Sequence, residues 1–119
     1  MAVNLDELRQ EIAQFAKDRD WDQFHSVRNL VLAMVGEVGE VAEILQWVDD
    51  DRVSELLNSG GRERLAEELA DVLIYLVRVA DRSGVNLEQA VRGKLTSNNE
   101  KYPKDKSRGT AKKYNDLEN

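Results

Sequence analysis

The sequence predicts an all-α chain of the four-helix bundle type. Three observations carry that expectation. Apolar residues recur at three- and four-residue spacing through most of the chain. No segment alternates apolar and polar residues as a half-buried strand would. A single proline among 119 residues, 41% of them apolar, leaves long stretches free of helix breakers.

The elements follow in order. Asn4 or Asp6 can cap a first helix over about 5–18, whose stripe is Leu5, Leu8, Ile12 and Phe15. Lys17-Asp18-Arg19-Asp20 is a polar break, followed by an aromatic turn holding Trp21, Phe24 and His25. Ser26 caps a second helix running to Trp47 or Val48, where Asp49-Asp50-Asp51 stops it. A short amphipathic piece with Val53, Leu56 and Leu57 ends at Asn58-Ser59-Gly60-Gly61. The third long helix spans about 62–82, with Gly84 as its left-handed terminator. Asn86 caps a fourth over about 87–101, and Pro103 ends it. The expected organisation is one helical domain over 1–103 and a basic polar tail over 104–119.

Composition narrows the chemistry. The absence of cysteine excludes a disulfide framework, a thiolate metal site and a cysteine nucleophile. No basic-then-apolar leader opens the chain and no apolar run approaches the ~20 residues that span a bilayer, so the expectation is a cytoplasmic protein with no membrane partner. The net charge of −6 speaks against direct nucleic-acid binding, which needs a basic footprint. The charge is also unevenly spread. Residues 1–93 carry 10 basic and 19 acidic side chains, whereas residues 94–119 carry 7 basic and 4 acidic. Such a split suits a cation held on the body and an anion held near the tail, although charge alone favours a solvated surface with a loose tail, since charge runs usually mark exposed faces.

Asp71-Val72-Leu73-Ile74-Tyr75-Leu76-Val77 is apolar on nearly every side of the third long helix. A helix apolar all round must be covered all round. Either a partner subunit covers it, which is the expectation here, or it lies at the centre of a monomeric bundle.

The acids of the second and third long helices form a pattern. Glu37 and Glu40 are about 60° apart around the helix and lie on or beside the stripe of Leu30, Ala33 and Ile44. Glu68 and Asp71 repeat the spacing beside Leu65, Val72, Leu76 and Val79. Two carboxylate pairs facing one interior would repel each other unless a hard divalent cation joined them, and Mg²⁺ takes oxygen ligands of this kind. The competing reading is an exposed acidic face, with Glu68 paired to Arg64 at i, i+4. Gly36 and Gly39 flank Glu37, and close packing at that level would explain them.

Longer motifs surround these acids: Arg19-Asp20-Trp21-Asp22-Gln23-Phe24-His25, Arg28-Asn29-Leu30, Gly36-Glu37-Val38-Gly39-Glu40-Val41-Ala42-Glu43, Gln46-Trp47, and Glu67-Glu68-Leu69-Ala70-Asp71-Val72-Leu73-Ile74-Tyr75-Leu76. Lys94, Asn98, Lys101-Tyr102-Pro103 and Lys112-Lys113-Tyr114 extend the set. Together they resemble the MazG-like all-α nucleoside triphosphate pyrophosphohydrolases, most closely the dCTP pyrophosphatase branch, over nearly the whole chain.

The resemblance implies a helical bundle assembled as a homo-oligomer, typically a tetramer, acting on a nucleoside triphosphate. It implies Mg²⁺-dependent cleavage between the α and β phosphates, giving the monophosphate and pyrophosphate. It implies Glu37, Glu40, Glu68 and Asp71 as catalytic metal ligands, and Lys94, Asn98, Lys101 and Tyr102 as phosphate contacts. It places Trp21, His25 and Trp47 around the base, with Tyr75 in the same substrate-binding set. The chain departs from some relatives of that branch at Ile12, where they carry a histidine. A house-cleaning pyrophosphatase for modified or non-cytosine nucleotides, or a non-catalytic helical oligomer holding structural metal, are the alternatives.

Overall fold

The structure, a computed structural model, describes residues 2–116, so the last residues of the expected tail, from 117 onward, lie outside the described residues. Among the described residues every regular element is helical. In order they are α1 (Leu5–Asp18), α2 (Val27–Leu45), α3 (Val53–Leu56), α4 (Arg62–Ser83), α5 (Leu87–Lys101) and α6 (Lys104–Ser107), with short 3₁₀ turns at Asp22–Phe24, Asp50–Arg52 and Tyr114–Asp116. The four long helices are those the sequence predicts. The short α6 and the last turn lie in the segment read as a polar tail.

The helix limits are set by local chemistry. At the start of α1 the choice falls on Asn4, whose side chain accepts from the Glu7 N–H at 3.1 Å. Ser26 accepts from Asn29 N–H at 3.1 Å and Asn86 from Gln89 N–H at 3.0 Å. Each such cap satisfies a donor that the helix leaves orphaned and contributes about 1 kcal/mol. α2 ends at Leu45, two or three residues short of the expected limit, because Gln46 and Trp47 turn and the Val48 N–H closes on the Leu45 carbonyl at 3.0 Å. Gly84, at φ 73°, ends α4 in the left-handed conformation where a Cβ is penalised. Gly61 is a matter of space: a Cβ there would lie 2.5 Å from the Leu56 carbonyl oxygen.

The chain falls into two compact units, residues 1–85 and 86–119. In the first, α4 is the central element, with α2 as its main partner and α1 packed beside it. α2 and α4 run antiparallel, because His25, just ahead of α2, meets Arg78 and Arg82 late in α4, while Glu40 interacts with Glu68 near its start. Among the described residues, Ala16, Leu30, Ile44, Val77 and Ala80 are the buried apolar ones. This is a small core for a chain of 119 residues. Leu69, Leu73, Ile74 and Leu76 of α4 and Leu32, Val35 and Val38 of α2 stay exposed. The chain by itself therefore leaves the apolar girdle of α4 partly bare. Nothing lies within 4 Å of a Cβ built at Gly36 or Gly39, so the close packing expected there is not supplied by the described residues. The second unit is built on α5, continued by α6.

Candidate active site

The antiparallel crossing of α2 and α4 brings the acids together. Glu37, Glu40 and Glu68 each offer a carboxylate oxygen, and these oxygens lie within 4.8 Å of one another. Glu37 and Glu68 are half-buried, and Glu40 and Asp71 are exposed. Oε2 of Glu37 and Oε2 of Glu68 are shielded from solvent and, with the acids ionised, have no hydrogen-bond donor to accept from; only a proton shared among the acids themselves can join them. No ion pair joins Glu68 to Arg64 among the described residues, and Glu68 is half-buried where the competing reading has it exposed.

The electrostatics follow from this crowding. Hydrogen bonding with Glu40, then desolvation and the Glu40 charge, push the Glu68 carboxyl up to about 7. Desolvation, followed by the charges of Glu40 and Asp71, raises Glu37 as well. Asp71 thus acts on the cluster through its charge. Carboxylates held close enough to retain protons, with buried lone pairs left unused, are suited to a hard divalent cation that would satisfy them all. The donor set is all oxygen, which fits Mg²⁺ better than a softer metal.

The face of α4 that bears Glu68 and Asp71 continues. Tyr75, Arg78 and Arg82 follow at alternating four- and three-residue steps, forming one stripe along the helix. Tyr75 is half-buried. Arg78 is 4% exposed, the one buried charged side chain among the described residues. Its guanidinium donates Nε–H to Nδ1 of His25 at 3.1 Å and Nη1–H to Asp81 at 3.2 Å, and Nη2 pairs with Asp22. Arg82 donates to the His25 carbonyl at 3.1 Å, and Arg9 of α1 reaches Asp81 at 3.4 Å. A cleft of about 500 Å³ opens beside this network, lined by Arg9, Lys17, Arg78 and Arg82 among others.

His25 belongs to an aromatic group. Its ring centroid is 6.3 Å from that of Trp21, which meets Phe15 edge-on at 5.6 Å. Burial, then the charge of Arg78, lowers its pKa, so the imidazole is neutral at pH 7. Trp47 stands apart from this group, in the turn after α2, and is 88% exposed. Lys94, Asn98 and Lys101 fall at i, i+4 and i+7 on α5 and so share one face, and the Tyr102 N–H closes on the Asn98 carbonyl at 2.8 Å. These four residues belong to the second unit.

Arg78, Asp22 and Asp81 went unremarked in the sequence as a group. A signal existed for part of it: an arginine inside Leu76-Val77-Arg78-Val79-Ala80, with Asp81 three residues on, is a charge in an apolar run that needs a partner. Nothing local pointed to Asp22, 56 residues away.

A model of the MazG-like family matches residues 33–117. The chain is 50% identical to dCTP pyrophosphatase 1 of Bos taurus over 114 residues, covering 95% of this chain and 68% of that protein. It is 46% identical to dCTP pyrophosphatase 1 of Homo sapiens over 114 residues, covering 67% of that protein. A pyrophosphatase crystal structure from Archaeoglobus fulgidus superposes with a TM-score of 0.79 at 35% identity, covering 87% of this chain and 95% of the other.

Proposed function

The chain belongs to the MazG-like family and is a nucleotide pyrophosphatase, and from that premise we propose that it hydrolyses the α–β phosphate bond of dCTP and related deoxynucleoside triphosphates with Mg²⁺, yielding dCMP and pyrophosphate and so controlling the nucleotide pool. The observation that carries the reading is the clustering of Glu37, Glu40 and Glu68 with two buried, unpartnered carboxylate oxygens.

In this reading Glu37, Glu40, Glu68 and Asp71 hold the cation. When bound there, Mg²⁺ supplies positive charge against the phosphate oxygens and lowers the pKa of water. The four carboxylates must be deprotonated to bind it; their attraction for the cation drives binding, and the cation relieves the repulsion among them. Glu40, the exposed member of the triad, orients the attacking water. Lys94, Asn98, Lys101 and Tyr102 hold the triphosphate and offset the charge that develops on the leaving pyrophosphate. Trp21 supplies a face on which a base stacks, His25 and Tyr75 add polar edges, and Trp47, at the other end of α2, supplies a second face from a neighbouring copy in the oligomer. A homo-oligomer, of tetrameric order in this reading, covers the exposed apolar side chains of α2 and α4.

One observation favours a broader base tolerance. Ile12 lies half-buried on the same helix as Phe15, which packs on Trp21. An apolar wall selects by shape and discriminates weakly between bases of similar size. The test is a panel of the canonical and base-modified deoxynucleoside triphosphates with Mg²⁺ and identification of the products. Monophosphate and pyrophosphate, with the highest kcat/KM for dCTP, support the reading. Release of orthophosphate, or no turnover of any triphosphate, would sink it. Equal kcat/KM for every base would sink the cytosine preference alone.

A further inference from the structure

We propose that Arg78 is a positioning residue for base recognition: it fixes His25, whose ring centroid is 6.3 Å from that of Trp21, as the tautomer protonated on Nε2, leaving that N–H as a donor to an acceptor atom of the base. The inference rests on the reading above that His25 and Trp21 face the base, and it assigns a role to a residue outside that set.

The chemistry leaves little choice of tautomer. An arginine Nε is always a donor, because the guanidinium does not lose its proton in a protein. Arg78 Nε–H points at His25 Nδ1 at 3.1 Å, so Nδ1 accepts and carries no proton. The imidazole is neutral, kept so by burial and the charges of Arg78 and Arg82 against the opposing charge of Asp22. Its one proton therefore sits on Nε2, which has no hydrogen-bond partner among the described residues. The guanidinium itself cannot drift. Its other two nitrogens are taken by Asp22 and Asp81, and Arg82 holds the His25 backbone carbonyl. Arg78 is a charge buried in an apolar helix face, which costs desolvation energy, and a purely packed core would use a leucine there.

Position along α4 supports the assignment. Arg78 lies on the stripe that carries Glu68, Asp71 and Tyr75. It is seven residues past Asp71, about 10 Å of helix rise, a span comparable to a nucleoside monophosphate laid along the helix. The metal-binding acids then meet the phosphates at one end of the stripe, and the Arg78–His25 pair meets the base at the other.

The chain has one histidine, so a ¹⁵N-labelled sample gives a single imidazole to read. At pH 7 the wild-type spectrum is expected to show the neutral ring with Nε2 protonated and Nδ1 bare. Arg78→Lys keeps the charge and loses the fixed fork, and is expected to give a mixture of tautomers. The non-hydrolysable α,β-imido analogue of dCTP is expected to shift the Nε2–H signal. Its affinity is expected to fall about tenfold in Arg78→Lys and in His25→Phe, the loss of one hydrogen bond, while kcat for dCTP changes much less than KM. If Arg78→Lys does not fold, the wild-type spectrum and His25→Phe decide. A proton on Nδ1, a charged ring at pH 7, or unchanged analogue affinity in His25→Phe would overturn the proposal. Binding of the analogue does not depend on turnover. A protein that binds it with the expected shift but hydrolyses nothing counts against the reaction and for this inference. One that hydrolyses dCTP with the same KM in His25→Phe counts the other way.

Discussion

Glu37 on α2 and Glu68 on α4 each keep one carboxylate oxygen, Oε2 in both, shielded from solvent and, with the acids ionised, without a hydrogen-bond donor to accept from. The two side chains come from helices that run antiparallel and in contact, with Leu30 and Ile44 of α2 and Val77 of α4 among their buried residues. Unsatisfied buried carboxylates are costly, and a fold retains them where a ligand satisfies them.

From this arrangement, Glu37→Gln, Glu68→Gln and Asp71→Asn should each cost about 100-fold or more in kcat/KM for dCTP, the scale on which one electrostatic contact to a developing charge is lost. The fold should persist, since each change removes a repulsion. Steady-state kinetics together with circular dichroism check both halves. Near wild-type turnover in any of the three would remove that residue from the site.

The pH dependence has a defined sign. The Glu68 carboxyl titrates at about 7 in the folded protein against an ordinary 4.5, so between those values the folded state holds more protons than the unfolded one. Stability of the metal-free protein therefore falls as pH rises through that window. In EDTA, the urea midpoint of the wild type relative to Glu68→Gln should drop between pH 5 and pH 8. A rise in that difference would contradict the assignment. With Mg²⁺ present the drop should shrink or reverse, because the cation competes with the protons.

Much of this was legible in the sequence because it depends on near neighbours. Asn4, Ser26, Asn86 and Gly84 mark helix ends through contacts within a turn, and all four do so in the structure. Glu37 with Glu40, and Glu68 with Asp71, were legible because i, i+3 spacing on a helix fixes a common face. Their meeting across α2 and α4 was an inference from apolar stripes that the packing of the two helices makes real for Glu37, Glu40 and Glu68. The Arg78–His25 bond was hidden, as it joins residues 53 positions apart. The described residues of one chain do not supply the close packing expected at Gly36 and Gly39: helix propensity says what glycine costs, and says nothing of what approaches it.

The exposed apolar residues on α4 lead to a prediction about assembly. Leu69, Leu73 and Leu76 share a face at i, i+4 and i+7, and each is at least 38% exposed. Leu73→Glu should break the proposed homo-oligomer into smaller species, read by sedimentation velocity. A wild type that sediments as a monomer would rule out the oligomer.

Gly84 offers a test of the helix end itself. Its φ of 73° is strained for any side chain with a Cβ, although no atom lies within 4 Å of one. Gly84→Ala should therefore cost about 1 kcal/mol through backbone conformation alone, measured by chemical denaturation, and Gly84→Asn should cost less. An equal cost for both would point to a steric cause instead.

The most direct measurement is binding of Mn²⁺ as a Mg²⁺ surrogate, followed by loss of the free-ion electron paramagnetic resonance signal, in the wild type and in Glu68→Gln. The account predicts saturable uptake by the wild type that weakens at least about tenfold in the variant, consistent with loss of a ligand at a carboxylate site. Equal uptake by the two proteins, or none by the wild type, would contradict the claim that these helices hold a catalytic cation between them.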